Sequence, residues 1–324
     1  MKNKYILIFI IILIYFIFYL FNYSLKYNKE YFISNNYNLS KKDILISNKI
    51  IKKIVNVYQL NPKNGTVYGY ADFVRGTILI LTLCTDNNLL FDVNYTKHPI
   101  SKYLINENNN EKYKIDYNNV ERNTLATSKF NNDIFIEFIR NINKCNNTIY
   151  FTYCNGFPYR EMSNNEKNII KSKFTPNNIL SENINNTLKK LKLEKKKYDV
   201  LHIRSGDAFL LNKKVMDNKK FNKIVYKIRQ NININKKYLL LTDNNDLKIK
   251  LSKIFPNFIY EINEIVHSSL SNNFYNDGLK NTLTDYFLIS LSKNVICICG
   301  YAHGSGFSEY CCKIYDIPYN YIKI

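Results

Sequence analysis

From Tyr198 onward, short apolar runs alternate with amphipathic stretches. Tyr198–Ile203, Tyr238–Leu241, Phe258–Tyr260 and Val295–Cys299 read as strands. Between and after them, Phe221–Arg229, Asp246–Ile254, Thr282–Ser292 and Phe307–Tyr315 carry helical spacing. Alternation of this kind predicts a parallel, doubly wound sheet, whose ligands sit beyond the carboxyl ends of the strands. Upstream the pattern is thinner. It gives an apolar helix over about Asp72–Thr85 and strands at Leu89–Val93 and Thr148–Tyr153. A long amphipathic helix is expected from Thr175 to Lys197, entered at Pro176, and is the candidate hinge between the halves.

The N-terminus differs from all of this. Tyr5 to Phe21 is an unbroken apolar run of 17 residues. As a helix it is about 25 Å long, just enough for a bilayer core with its flanks included. No small-residue cleavage site follows, which favours a signal anchor over a cleaved signal peptide. A short tail before it and a large body after it suggest a single-pass type II membrane protein with a lumenal body, as in the Golgi or endoplasmic reticulum. Lysines on both sides of the run leave the orientation open. The expected organisation is an anchor over residues 1–26, a polar stem over 27–60, an N-terminal Rossmann-like domain over 61–180 and a C-terminal one over 181–324.

Composition changes the picture in two places. The formal net charge is +20, which raises the question of nucleic acid. The excess is scattered Lys in a chain rich in Asn, Ile and Tyr, with no Arg-rich stripe among aromatics, so nucleic-acid binding is not expected. Glycine is scarce, at nine, and seven of the nine fall in three places: Gly65, Gly69 and Gly76; Gly206; and Gly300, Gly304 and Gly306. A composition that disfavours Gly keeps it where the backbone needs positive φ or a close approach, so these loops are where a ligand is expected. Seven cysteines leave at least one unpaired, and Cys145 and Cys154 flank a predicted strand and could bridge in a lumen.

Two segments carry chemistry. In Asp199–Asp207 an apolar strand delivers His202 and Arg204 to the same side of the sheet. Gly206 permits a tight turn and Asp207 can hold the guanidinium from behind. The planar fork of an Arg suits a diphosphate; the plainer reading is a surface salt bridge between Arg204 and Asp207. In the second segment a strand runs into Gly300–Gly306 and then a helix start, an arrangement that aims backbone N–H groups at an anion, with Ser305 and Ser308 adding hydroxyls. Asp285 is either an N-terminal helix charge or an acceptor for a guanine edge. Cys297, Cys299, His303, Cys311 and Cys312 match no common zinc spacing, and no metal site is expected.

These segments resemble a known family. His202-x-Arg204-x-x-Asp207 is similar to the H-x-R-x-x-D signature of the α1,2-, α1,6- and protein O-fucosyltransferase superfamily. Asp285-x-x-Leu288-x-Ser290, with Ser305-Gly306-Phe307-Ser308 downstream, resembles the C-terminal motif of its α1,2 branch. Gly69-Tyr70-Ala71-Asp72-Phe73-Val74-Arg75-Gly76 is similar to the superfamily's Gly-rich N-terminal loop. The resemblance implies an α/β, GT-B-like fold of two Rossmann-like doubly wound domains. It also implies a GDP-fucose donor, inversion at the anomeric carbon, a glycan or protein acceptor, and no cofactor or metal. Arg204 then neutralises the β-phosphate, His202 and Asp285 face the nucleoside, and Ser305 to Ser308, including Gly306 and Phe307, close on the phosphates. Gly69 and Arg75 fall on the substrate side, and Asp72 is a candidate base whose alternative is a helix N-terminal charge. The chain departs from the family pattern at Ser205, where a second Arg is usual, and at Glu309-Tyr310, where a Trp pair is usual. Another GDP-sugar as donor, or a catalytically silent, membrane-tethered glycan-binding relative, are the alternatives.

Overall fold

The computed structural model describes residues 52–59, 68–105, 121–122, 137, 149–206, 216–269 and 277–324. The apolar run Tyr5–Phe21 lies outside the described residues, as do Gly65, Cys145 and Asp207. Among the described residues, no helix is long and apolar enough to cross a membrane.

Four strands, β1 (Lys53–Val57), β2 (Leu90–Asn94), β3 (Glu121–Arg122) and β4 (Ile149–Tyr153), form a wholly parallel sheet in the order β2-β1-β4-β3. β1 falls inside the stretch expected to be stem. Its Ile54, Val55 and Val57 are fully buried, because hydrogen-bonded neighbours on both edges enclose a strand only five residues long. Helix α1 (Tyr70–Asp86) joins β1 to β2 and is apolar around most of its circumference. Such a helix must be covered on all sides. It lies against β1 and β2 and also against the last helix of the chain.

The next helix lies before the long one expected over Thr175–Lys197, and the one after it is shorter than expected. Ser163 and Glu166 form a reciprocal capping box that starts α2 (Asn164–Lys173). Asn177 accepts from Leu180 N–H and starts α3 (Asn178–Lys190). α3 ends well before Lys197 because Lys192 and Lys196 take φ of 54° and 62°, outside the helical region. Leu180, Ile184 and Leu188, spaced by four, turn its buried face inward.

The remaining elements follow the expected alternation: β5 (Asp199–Arg204), α4 (Asn218–Asn231), β6 (Tyr238–Thr242), α5 (Asn245–Ile254), β7 (Phe258–Ile259), α6 (Gly278–Ser290), β8 (Asn294–Cys299) and α7 (Gly306–Tyr315). A further strand, β9 (Tyr319–Lys323), closes the edge. This sheet is parallel throughout in the order β7-β6-β5-β8-β9. The order reverses between β5 and β8, which opens a crevice at their carboxyl ends.

Side chains alternate across the second sheet. Leu201, Ile203, Leu240, Ile296 and Ile298 face a core closed by Ile224, Ile228, Leu247 and Leu251. Val200, Leu239, Leu241 and Val295 face the other way. They join a cluster that continues through Leu283, Phe287 and Cys311 to Phe73, Ile78 and Val55 of the first half. The two sheets therefore share one apolar core. Its edge carries the polar residues described next.

Candidate functional site

A cleft of about 270 Å³ opens at the switch point of the second sheet. Its floor is the end of β5. His202 and Arg204, two residues apart, both line it, as the period of a strand requires. The chain then turns at Ser205-Gly206, where Gly206 takes φ of +116°, a conformation open to Gly and strained for any side chain.

That turn is held by a residue the sequence motif does not include. Asp243 follows β6, the neighbour of β5, and its Oδ2 lies 2.6 Å from Nη1 of Arg204. The same carboxylate accepts Ser205 N–H at 2.8 Å and Gly206 N–H at 3.2 Å. Among the described residues it fills the part assigned in sequence to Asp207, which lies outside them. The register explains it: β5 and β6 pair His202 with Leu241 and Ile203 with Thr242, so a carboxylate directly after Thr242 reaches the Arg204 turn. Lys220, from the first turn of α4, donates to the Ser205 carbonyl at 2.7 Å and brings a further cation to this corner.

The wall opposite is the loop after β8. Tyr301, His303, Gly304, Ser305, Gly306 and Phe307 line the cleft. Gly304 takes φ of +75°, and Ser305 is the N-cap of α7 without using its side chain for the cap. The first N–H groups of α7 thus begin at the cleft, where an anion is favoured. Ser308 is the exception among the residues expected to meet phosphate. It is fully buried, absent from the cleft lining, and its Oγ lies 2.9 Å from Nδ1 of His202. The reason is helical geometry: Ser308 is the third residue of α7, and its side chain turns back under the helix onto β5.

His202 itself is buried. Burial pulls its pKa down to about 4, with Asp243 opposing and Arg204 assisting, so the ring is neutral at pH 7. Asp285, from α6, also lines the cleft, as do Val266 and Thr282. Burial lifts its carboxyl to about 6, against the pull of Lys248. It makes no hydrogen bond or ion pair with a described residue.

α1 supplies the remaining wall through Gly69, Tyr70, Ala71, Asp72 and Arg75. Arg75 is already engaged. Its Nε and Nη2 donate to the Asn155 carbonyl at 2.9 and 2.6 Å, its Nη1 lies 3.0 Å from Asp72 Oδ1, and its guanidinium stacks 3.9 Å above the Phe157 ring. It orients Asp72, whose side chain is 38% exposed in the cleft. Gly76, expected to mark a ligand loop, instead lies within α1 where the helix touches backbone: a Cβ there would come 1.9 Å from the Cys154 carbonyl oxygen.

The loop before α6, Ile265 to Ser268, completes the lining and is tied to the first half. Ser268 Oγ accepts Tyr70 N–H at 2.6 Å and lies 3.2 Å from Tyr58 Oη, and the Ser268 carbonyl is 3.1 Å from His98 Nε2. His267 of this loop also faces the cleft. Nothing in the local sequence marked these residues, since their role arises from packing against α1. Cys154 is buried and its sulfur accepts Gly156 N–H at 3.4 Å; Cys145, the partner considered for it, lies outside the described residues. Cys297, Cys299, Cys311 and Cys312 are buried free thiols. Among the described residues, no three His, Cys, Asp or Glu side chains are grouped to hold a metal ion.

Neither a family model nor a curated protein matches the chain in sequence. Solved structures do match it in shape. NodZ alpha-1,6-fucosyltransferase soaked with GDP-fucose superposes with a TM-score of 0.51 at 12% identity, over 82% of this chain and 93% of that one. Fucosyltransferase NodZ from Bradyrhizobium gives 0.50 at 10% identity, over 81% and 92%. A mutant of Arabidopsis thaliana FUT1 in complex with GDP gives 0.50 at 11% identity, over 92% and 76%. The chain has the fucosyltransferase fold. At such identities the likeness is one of fold, and within this fold the cleft at the β5–β8 switch point is where the chemistry of the present chain must be judged from its own residues.

Proposed function

We propose that this protein is a GT-B-type glycosyltransferase that binds a GDP-sugar in the cleft and transfers the sugar, fucose in the first instance, to a glycan or protein acceptor. The observation that carries the reading is convergence. Arg204, the α7 N-terminus and the Asp285 carboxylate, distant in sequence, line one cleft, which brings together a cation, a helix end and a hydrogen-bond acceptor. Those three groups are the ones that the phosphates and the base of a nucleotide call for. The solved relatives of like fold with GDP or GDP-fucose add support.

In this reading the acceptor oxygen attacks the anomeric carbon from the face opposite the diphosphate. The bond to the β-phosphate oxygen breaks with inversion, and the acceptor proton passes to a base, for which Asp72 is the candidate. Arg204 stabilises the charge that develops on the departing diphosphate, which is the kind of preorganised stabilisation that contributes most to such reactions. The sequence has no D-x-D carboxylate pair, so we assign the neutralising role to Arg204 and the helix end rather than to a divalent ion. The apolar run over residues 5–21 would fix this body to a bilayer, on the lumenal side.

The test is a panel of nucleotide sugars, with nucleoside diphosphate release measured in the presence and absence of EDTA. Release of GDP from GDP-fucose, unchanged by EDTA, is the expected result. Turnover confined to a different nucleotide sugar overturns the donor. Activity lost in EDTA and restored by manganese overturns the metal-free chemistry.

A further inference from the structure

His202 and Ser308 come from opposite sides of the switch point, one from the floor of the cleft and one from beneath the helix that caps it. Their contact is 2.9 Å from Oγ to Nδ1. Either atom can donate, and the surroundings decide which does. The alternatives for the Ser308 hydroxyl are the Ser305 carbonyl at 3.4 Å, beyond the usual O–H···O range, the Cys297 sulfur, a weak acceptor, and Tyr319 Oη, which is buried nearby and makes no hydrogen bond with a described residue. The Ser305 carbonyl already accepts Glu309 N–H at 3.0 Å. Cys297, paired with His202 across β5 and β8, places its sulfur 3.8 Å from Nδ1, and a thiol is a weak competitor. The Ser308 proton therefore goes to Nδ1. On the other side of the ring, Nε2 has no hydrogen-bond partner among the described residues, and His202 lines the cleft.

We propose that Ser308 is a positioning residue whose hydroxyl donates to Nδ1 of His202, holding the imidazole as its neutral Nε2–H tautomer and presenting that N–H to an acceptor oxygen of the nucleotide. The nature of the ligand rests on the function proposed above; the tautomer does not. A neutral donor differs from a second cation. It selects for an oxygen at a fixed place and contributes direction rather than net charge, leaving Arg204 to meet the phosphate charge. The groups that face His202 are consistent with a neutral ring. Arg204 and Asp243 are paired with each other, Cys297 is a thiol pushed up to about 11 by burial, and across the cleft Asp72 is paired with Arg75.

The chain has four histidines, so the resonances of His202 in the full-length protein labelled with ¹⁵N-histidine can be assigned by their loss in His202→Gln. Two-bond ¹H–¹⁵N correlations should show Nε2 protonated and Nδ1 bare, unchanged between pH 5.5 and 8. Ser308→Ala should let the ring populate the Nδ1–H form and should weaken GDP about tenfold. Ser308→Thr, which keeps the hydroxyl, should retain both the tautomer and the affinity. An Nδ1–H ring in the unmutated protein overturns the proposal whatever the variants do, and so does an Ala variant whose tautomer is unaltered. If the tautomer depends on Ser308 as described but the unmutated protein binds no GDP, the positioning role stands and the nucleotide reading fails.

Discussion

Arg204 and Asp243 stand at the carboxyl ends of neighbouring parallel strands with their charged groups 2.6 Å apart. Asp243 spends its remaining capacity on the N–H groups of Ser205 and Gly206, so one carboxylate sets both the guanidinium and the turn beside it. Removing it takes a carboxylate from a largely covered guanidinium and the acceptor from two backbone N–H groups. Asp243→Ala is expected to lower stability by about 3 kcal/mol and to abolish turnover, both readable from denaturant unfolding and GDP release. Arg204→Lys keeps the charge and loses the fork, at about 3 kcal/mol of transition-state stabilisation. A Lys variant that folds and turns over normally contradicts the assignment of Arg204.

Much of the second half was legible because its elements are marked locally. Apolar runs of strand length, amphipathic helices and a Gly in the loops after β5 and β8 agree with one another, and agreement of that kind specifies a fold. What the sequence hid depends on contacts between distant residues. β1 is five residues of mixed polarity in a Lys- and Asn-rich stretch, and only its pairing with β2 and β4 makes it a central strand. Asp243 looks like an ordinary strand-end residue until the register with β5 is known. Ser308 carries a motif that suggests a phosphate contact, yet its place in the helix turns it onto His202. α2 is different. Its Ser163–Glu166 capping box is a local signal, but the segment is so polar that no apolar periodicity accompanies it.

Gly76 provides a test of close packing that is independent of any ligand. A methyl at this position meets three backbone atoms, the nearest being the Cys154 oxygen at 1.9 Å, and backbone cannot swing aside as a side chain can. Gly76→Ala should cost about 3 kcal/mol through overpacking, offset only slightly by the better helix propensity of Ala. It should also disturb Arg75, whose two donors rest on the adjacent Asn155 carbonyl. A thermal midpoint equal to that of the unmutated protein contradicts this packing.

The response to acid follows from His98 and His202. Burial pulls His98 down to about 3, although its bond to the Ser268 carbonyl acts in the other direction, and pulls His202 down to about 4. Both folded values lie below the ordinary value of about 6.5, so the unfolded chain binds more protons. The stability involved is present above pH 6.5 and is lost as the pH falls from there toward 3 or 4. Each ring contributes a slope of up to about 1.4 kcal/mol per pH unit in that window. Unfolding measured at pH 7, 5.5 and 4.5 should show this fall, and His98→Gln, less stable at pH 7, should show a shallower one. An unchanged slope in the variant contradicts the burial of a neutral His98.

The choice of nucleotide tests the proposed function without knowledge of the acceptor. Arg204 and the α7 N-terminus address phosphates, which every nucleoside diphosphate carries, so they cannot select the base. Selection falls to Asp285, whose carboxylate lines the cleft without a partner among the described residues. A carboxylate accepts from the N1–H and 2-amino group of guanine, whereas uracil offers a single N–H between two carbonyls that face the charge. Leaving a buried polar group unpaired is what makes such a site reject the wrong partner. GDP should therefore bind at least about tenfold more tightly than UDP, a gap of about 1.4 kcal/mol. Asp285→Asn should shrink that gap, and Arg204→Ala should weaken both nucleotides together. With the Asp285 carboxyl raised to about 6, the gap should also narrow as the pH falls through 6, because protonation removes the acceptor that guanine requires. Calorimetry on the three proteins at pH 7.5 and 5.5 decides the matter, and equal affinities for GDP and UDP in the unmutated protein at the higher pH remove the GDP-sugar reading.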